Sequence, residues 1–151
     1  MPKVDVIVIE LSAPILVGVY QEGVLIRELR SVELSSEALP ALFKEILSLY
    51  RIENIVYTRG PGSFMAIKIA YIFLQTLCIV HDIELYATNA FTFNDNQPIK
   101  AFGKLYFEQS NGTITTKKYD EAPAMSFKLP EKINLSEYSE EITPLYVLPA
   151  V

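Results

Sequence analysis

Residues 57–64, Tyr57-Thr58-Arg59-Gly60-Pro61-Gly62-Ser63-Phe64, carry the residue types best suited to chemistry in this chain. Two glycines flank a proline, a serine follows, and an apolar helical pattern begins at once. A turn of this composition between a strand and a helix leaves the helix's first N–H groups without intrahelical partners, and such groups can cradle an anion. The same turn can instead only bend the chain and aim the helix, with Ser63 as its cap. Glu10, at the end of an apolar run, is the acid best placed to join Gly60, Gly62 and Ser63 around a metal–nucleotide complex; Asp5 lies earlier on the same run. The alternative for Glu10 is a solvated charge at a strand end.

The familiar motifs are not met. No Lys-Ser/Thr pair follows the glycines at Walker spacing, and Met65 stands at the third glycine of the dinucleotide fingerprint. Ser63 has no neighbouring base and is not the centre of a nucleophile elbow. His81 is the one histidine and Cys78 the one cysteine, which excludes a His-rich or Cys/His metal site. No catalytic set and no metal-ligating set emerges, and His81 reads as a solvated residue between a helix and a strand.

The elements that position this turn follow from periodicity. Residues 4–10, 15–20 and 24–32 read as strands joined by short connections, with Gln21-Glu22-Gly23 as a turn, which predicts an antiparallel meander. Ser35 or Ser36 can cap a helix whose stripe is Leu39, Leu42, Phe43, Ile46, Leu47 and Tyr50, with Pro40 tolerable near its start. Residues 52–57 are a buried strand reached by a crossover, and so parallel to a neighbour. A second helix spans 64–80, and residues 83–86 form another strand. Asn94-Asp95-Asn96-Gln97-Pro98 is a loop that divides the chain into units 1–93 and 98–151. Residues 100–108 and 113–119 flank Ser110-Asn111-Gly112 as a hairpin. Beyond residue 120 the prolines and scattered charges predict an extended tail, with residues 145–148 as an edge strand.

Composition sets further bounds. Half of the 151 residues are hydrophobic, enough for one real core. A net charge of −5 argues against a nucleic-acid binder acting alone, and Lys117-Lys118 reads as the solvated end of a strand. A lone cysteine fits a reducing compartment. The first apolar run is broken by Asp5 and closed by Glu10, unlike a secretory signal. The longest unbroken apolar run, 69–74, falls short of the roughly 20 residues of a membrane span. A cytoplasmic, soluble protein is expected.

The second helix has two faces. Ile67, Tyr71, Leu74 and Cys78 form a core stripe. The opposite face carries Met65, Lys68, Ile69, Ile72, Gln75, Thr76 and Ile79, of which four are large and apolar. Either the tail or hairpin covers this face, or it is a partner surface.

Gly-Pro-Gly-Ser-Phe after a strand, with an Ile-Lys-Ile helix start, resembles the signature of the TsaB (YeaZ) family. The family pattern continues Thr-Gly-hydrophobic-Arg-Ile-Gly, where this chain has Met65, Ala66, Ile67, Lys68, Ile69 and Ala70. The basic residue is kept in kind, while the Thr and both glycines are lost. Ile9-Glu10-Leu11-Ser12 is similar to the family's Ile-Asp-Thr-Ser strand end. Ser36-Glu37-Ala38-Leu39-Pro40 resembles the opening of its first helix, and Pro144-Leu145-Tyr146-Val147 its closing Pro-x-Tyr segment. The resemblance covers residues 4–90 well and is thin beyond.

It implies an α/β fold: an actin-like ATPase (ASKHA, ribonuclease-H-like) lobe with a mixed sheet in the order βββαβαβ, then a reduced second lobe containing a β-hairpin. It also implies a non-catalytic scaffold subunit in threonylcarbamoyladenosine (t6A) modification of tRNA, docking onto a TsaD-type protein through its two helices. A TsaE-type ATPase would join the assembled complex, the chain would form a homodimer when alone, and tRNA would be contacted only through the complex. No cofactor of its own is implied; ATP or ADP with Mg2+ would be a ligand of the complex. TsaD's paired helical histidines have no counterpart beside His81. Two other readings stand: a small nucleotide-binding or weak ATPase domain using Glu10, Gly60, Gly62 and Ser63, and a plain homodimeric structural protein.

Overall fold

The computed structural model describes residues 1–147. Eight strands and two helices follow the order β1 (Lys3–Ile9), β2 (Ile15–Gln21), β3 (Val24–Ser31), α1 (Ser35–Leu49), β4 (Arg51–Thr58), α2 (Phe64–His81), β5 (Glu84–Thr88), β6 (Ile99–Phe102), β7 (Leu105–Ser110) and β8 (Thr113–Lys118). A five-stranded sheet has the order β3-β2-β1-β4-β5, and a separate three-stranded sheet the order β6-β7-β8.

The first three strands form the expected meander, with β1 antiparallel to β2 and β2 to β3. β4 lies parallel to β1, and β5 parallel to β4. The helical crossovers put α1 and α2 on the sheet, as parallel pairing requires. Strand periodicity then sorts the side chains of β1. Val4, Val6 and Val8 enter the core beneath the helices with Phe43, Ile46 and Leu74. Ile7 and Ile9 point the other way, into a second core with Leu16, Tyr20 and Val56. A central strand buried on both faces reads as a continuous apolar run, as β1 and β2 do.

What covers the second face is the segment after residue 120. Leu129 and Ile133 are buried there, with Phe127, Leu135 and Tyr138 packed beside them. The Leu25 N–H donates to the Glu131 carbonyl at 2.9 Å, beside β3. At the opposite edge Ala87 and Ser139 exchange N–H···O bonds of 2.9 Å each. The tail is therefore a strap laid from one edge of the sheet to the other. It is poor in regular structure, as expected, yet its spaced apolar residues complete the second core.

Several expectations change. The expected unit 98–151 divides in space, because 99–118 make the small sheet while 127–145 lie on the first sheet. The single strand expected over 100–108 is two strands, broken where Gly103 takes φ +57. The hairpin turn is as read: Asn111 and Gly112, at φ 51 and 77, form the two-residue connection that matches strand twist. Helix α1 is capped by Leu34 without a side-chain bond, and Ser35 lies inside the helix. Pro40 sits beyond the first turn of α1, so the Ser36 carbonyl has no helical donor. Residues 145–147 form no strand, and the rest of the expected edge strand, Leu148, lies outside the described residues. His81 is the last residue of α2, and it is exposed.

Candidate functional site

The β4–α2 turn sits at the carboxyl ends of the parallel strands, where open α/β sheets place their ligands. β4 ends in Thr58, and the Arg59 N–H donates to the Thr88 carbonyl at 3.0 Å, joining the ends of β4 and β5. Gly60 then takes φ +120, a conformation that L side chains rarely adopt. A Cβ at Gly60 would stand 2.7 Å from the Leu145 carbonyl oxygen. One at Gly62 would stand 3.0 Å from a methyl of Leu11. Both glycines are therefore explained by close packing of chain on chain. Ser63 caps α2, its hydroxyl accepting from the Ala66 N–H at 3.4 Å.

Glu10 corrects the expectation of a solvated strand-end charge, because only 1% of its surface is exposed. The Thr58 hydroxyl donates to its Oε1 at 2.7 Å, and Oε2 has no partner. Burial, only partly offset by the Thr58 hydroxyl and nearby backbone hydrogen bonds, pushes its pKa up to about 8, so at neutral pH the carboxyl is protonated. A neutral, enclosed carboxyl is a poor ligand for Mg2+, which needs charged or accessible oxygens.

The nearest cation is equally unsuited to phosphate. The Arg59 Nε donates to the Thr143 carbonyl at 2.7 Å, and its terminal nitrogen lies 3.8 Å from Glu141. The Arg59 carbonyl in turn accepts from the Leu145 N–H at 2.7 Å, and the Phe64 and Tyr146 rings pack with centroids 4.7 Å apart. The strap thus packs on one side of the turn at Arg59 and Gly60, and beyond Gly62 it borders an apolar hollow of about 360 Å³ with Phe64, Phe102 and Phe107. On the other side a cleft of about 360 Å³ is lined by Ser12, Ser63 and Lys100 with Leu11, Met65 and Phe127. The turn's residues therefore do not fit a metal–nucleotide complex. Among the described residues no group of three or more His, Cys, Asp and Glu side chains could hold a metal.

The face of α2 is the larger feature. Ile67, Leu74 and Cys78 are buried as expected, joined by Ala70, while Tyr71 is half-buried. Burial pushes the Cys78 thiol up to about 12, which makes it an inert core residue. Of the outer face, Met65, Lys68, Ile72, Thr76 and Ile79 are exposed, and Ile69 and Gln75 are half-buried. Ile72 is 54% and Ile79 76% exposed. Neither the strap nor the hairpin covers them. Helix α2 is also long and apolar enough, by length and composition, to cross a membrane, with a mean hydropathy of 1.7. Counting only the unbroken run 69–74 missed this, because Gln75 and Thr76 interrupt the run without lowering the average of the whole helix.

The resemblance implied both helices, but the surface residues read from the sequence were all on α2; the structure adds those of α1. Ser36, Pro40, Ile69, Ile72 and Phe73 line an apolar hollow of about 330 Å³ between the two helices. No local signal in the sequence marks Ser36 and Pro40 as part of it, because they meet Ile69, Ile72 and Phe73 only through the packing of α1 on α2. Val80, next to Ile79, extends the apolar surface toward the end of α2.

Comparison with known proteins follows these features. Residues 31–94 match the family model described as TsaD, tRNA N6-adenosine threonylcarbamoyltransferase. That segment holds the end of β3, both helices, β4, the glycine turn and β5. No curated protein sequence matches the chain. Among solved structures the fold is similar to YeaZ from Pseudomonas aeruginosa, with a TM-score of 0.56 and 16% identity over 83% of this chain. A second structure, an uncharacterized protein with similarity to peptidase YeaZ from Pseudomonas aeruginosa, gives 0.53 and 18% over 83%. This chain spans 66% and 67% of those two. The fold is therefore the actin-like ATPase fold of YeaZ, carried by a shorter and divergent sequence.

Proposed function

We propose that this chain is a non-catalytic scaffold subunit in t6A modification of tRNA, which docks onto a TsaD-type protein through α1 and α2. The observation that carries the reading is the uncovered apolar face made by Ile69, Ile72, Ile79 and Val80 of α2 with Pro40 of α1. An apolar patch of this kind on a soluble fold marks a partner surface. The match over 31–94 to a TsaD model and the YeaZ-like fold name the system in which to look for that partner.

The matched segment holds His81 alone among histidines, which supports an accessory role rather than that of the metal-bearing transferase. A TsaE-type ATPase joins the same assembly, tRNA is bound within that assembly, and the cytoplasm is its place. In the absence of TsaD the same face pairs two copies. The nucleotide-binding alternative gains nothing from the buried Glu10 and the close-packed Gly60 turn.

Co-purification with a TsaD-type protein, followed by a t6A assay with and without this chain, tests the reading. Wild-type chain is expected to be captured and to raise t6A formation. Ile72→Glu is expected to abolish capture while leaving the thermal melt near that of wild type, because a charge at a dry interface is costly and the same charge in solvent is not. Unimpaired capture of the Ile72→Glu chain would sink the docking claim.

A further inference from the structure

The small sheet concentrates positive charge in an acidic chain, and we propose that its β6–β7 end binds the phosphate backbone of RNA. Residues 99–119 contain Lys100, Lys104, Lys117 and Lys118 against one acid, Glu108. The rest of the chain holds nine Lys or Arg against seventeen Asp or Glu. Reading Lys117-Lys118 as a solvated strand end missed this, because the other two lysines join them only through strand pairing.

The register brings all four to one end. Lys100 pairs with Tyr106, and Tyr106 with Lys117. These two lysines therefore lie on one face, either side of β7, about 10 Å apart at two strand spacings. Lys118 is opposite Leu105, and Lys104 occupies the turn just before it. The Tyr119 N–H donates to the Lys104 carbonyl at 2.9 Å, which ties the end of β8 to that turn. All four lysines are exposed.

Three acids adjoin them, so residues 99–121 hold these four lysines against Glu108, Asp120 and Glu121. Among the described residues Lys104 alone of the four meets an acid within ion-pair distance, Asp120 at 3.9 Å, and both groups are open to solvent, where such a pair is weak. Glu108, two residues along β7 from Tyr106 and so on the face of Lys100 and Lys117, accepts from the Tyr119 hydroxyl and keeps its charge. Glu121 follows Asp120 beyond the sheet.

Aromatic groups lie among the charges. The Lys117 ammonium stands 5.0 Å from the Tyr119 ring centre, and Tyr119 meets Tyr106 edge-on at 5.4 Å. Phe102, paired with Leu105 at the same end, is 64% exposed. Tyr106 is buried between the two lysines and Tyr119 is half-buried against it, while Phe102 is open. Lysines at this sheet end suit a nucleic-acid strand, whose phosphates take the ammonium groups and one of whose bases can stack on Phe102. An acidic membrane would want a broad apolar face beside the lysines, but β8 presents Thr113, Thr115 and Thr116. Lys100 also borders the cleft beside Ser12 and Ser63, so the charged end is continuous with the start of α2. The lysine surface stands on its own geometry; that the nucleic acid is RNA, and tRNA in particular, rests on the function proposed above.

Fluorescence anisotropy with labelled, unmodified tRNA and the full chain tests this, at about 20 mM and about 200 mM salt. Wild type is expected to bind at low salt and to lose affinity steeply at high salt. The double variant Lys100→Glu, Lys117→Glu is expected to lose about tenfold or more in affinity, whereas Lys128→Glu, Lys132→Glu, an equal charge change elsewhere, stays within about threefold of wild type. No salt-dependent binding by wild type overturns the proposal, and so does an equal loss in both double variants. Thermal melts of the variants should match wild type, since each of these side chains is exposed. Capture of a TsaD-type protein is scored separately on the same variants. Loss of tRNA binding with capture retained supports the lysine surface, whereas a chain that binds tRNA without capturing TsaD counts against the docking reading alone.

Discussion

Glu10 is the residue whose chemistry and position agree least, because an acid has been placed where only a neutral group is comfortable. Folded Glu10 keeps its proton up to about pH 8, whereas its ordinary value is 4.5. Between those values the folded state holds the extra proton, so stability is greatest below pH 4.5 and falls as pH rises toward 8. Glu10→Gln should remove this decline while keeping an acceptor for the Thr58 hydroxyl. The variant's melting temperature should then exceed that of wild type at about pH 8 and approach it at about pH 5. Identical pH profiles for the two chains would mean that Glu10 is ionised and solvated. Gly60 makes a second residue-scale prediction. Gly60→Ala should cost about 1–3 kcal/mol in urea unfolding, from a strained positive φ and from collision with the Leu145 carbonyl. Gly103→Ala also has a positive φ but meets nothing within 4 Å, so it should cost less.

At the scale of elements, the strap is the part most easily mistaken for a dispensable tail. Its polar composition hides a sparse set of apolar residues, of which Leu129 is 3% exposed and lies against Gly18 and Tyr20 on the sheet's second face. The Tyr20 hydroxyl donates to the Pro130 carbonyl at 2.6 Å, and that of Tyr57 to the Ile142 carbonyl. Leu129→Ala should therefore destabilise the whole fold by about 2–5 kcal/mol, as a core truncation does, measured as a shift in the urea midpoint at unchanged slope. A loss of a few tenths would place the strap outside the cooperative core. Helix α2 shows the opposite economy. Its buried stripe was legible because its residues recur every three or four positions, and its outer face was legible because it broke the polar rule for exposed helices. What that face meets in this chain depends on α1, whose Pro40 and Ser36 meet it only through tertiary packing.

At the scale of the molecule, an apolar helical face and a lysine-rich sheet end belong to different surfaces. A chain with an apolar face open on α1 and α2 should self-associate when alone. Light scattering is expected to give a dimer mass at about 100 µM and a monomer for Ile79→Glu, because removing large buried apolar contacts weakens an interface by several kcal/mol. A wild-type monomer at that concentration would sink the pairing of copies through this face. High salt should leave the dimer intact and abolish tRNA binding, since apolar contact is insensitive to screening and phosphate contact is not.

The sequence by itself determined the order of elements as far as β5, the meander, the parallel crossover, the buried stripe of α2 and the Asn111-Gly112 turn. Each of these follows from spacing within a short window, which the chain carries locally. The tertiary structure alone decided that the glycine turn is packed beneath Leu145, that Glu10 is buried and protonated, that the strap closes the second core, and that four lysines share one sheet end. These depend on which distant segments meet, as Leu145 meets Gly60 and Lys117 lies across Tyr106 from Lys100, and burial and register are properties of those meetings rather than of any one stretch of chain.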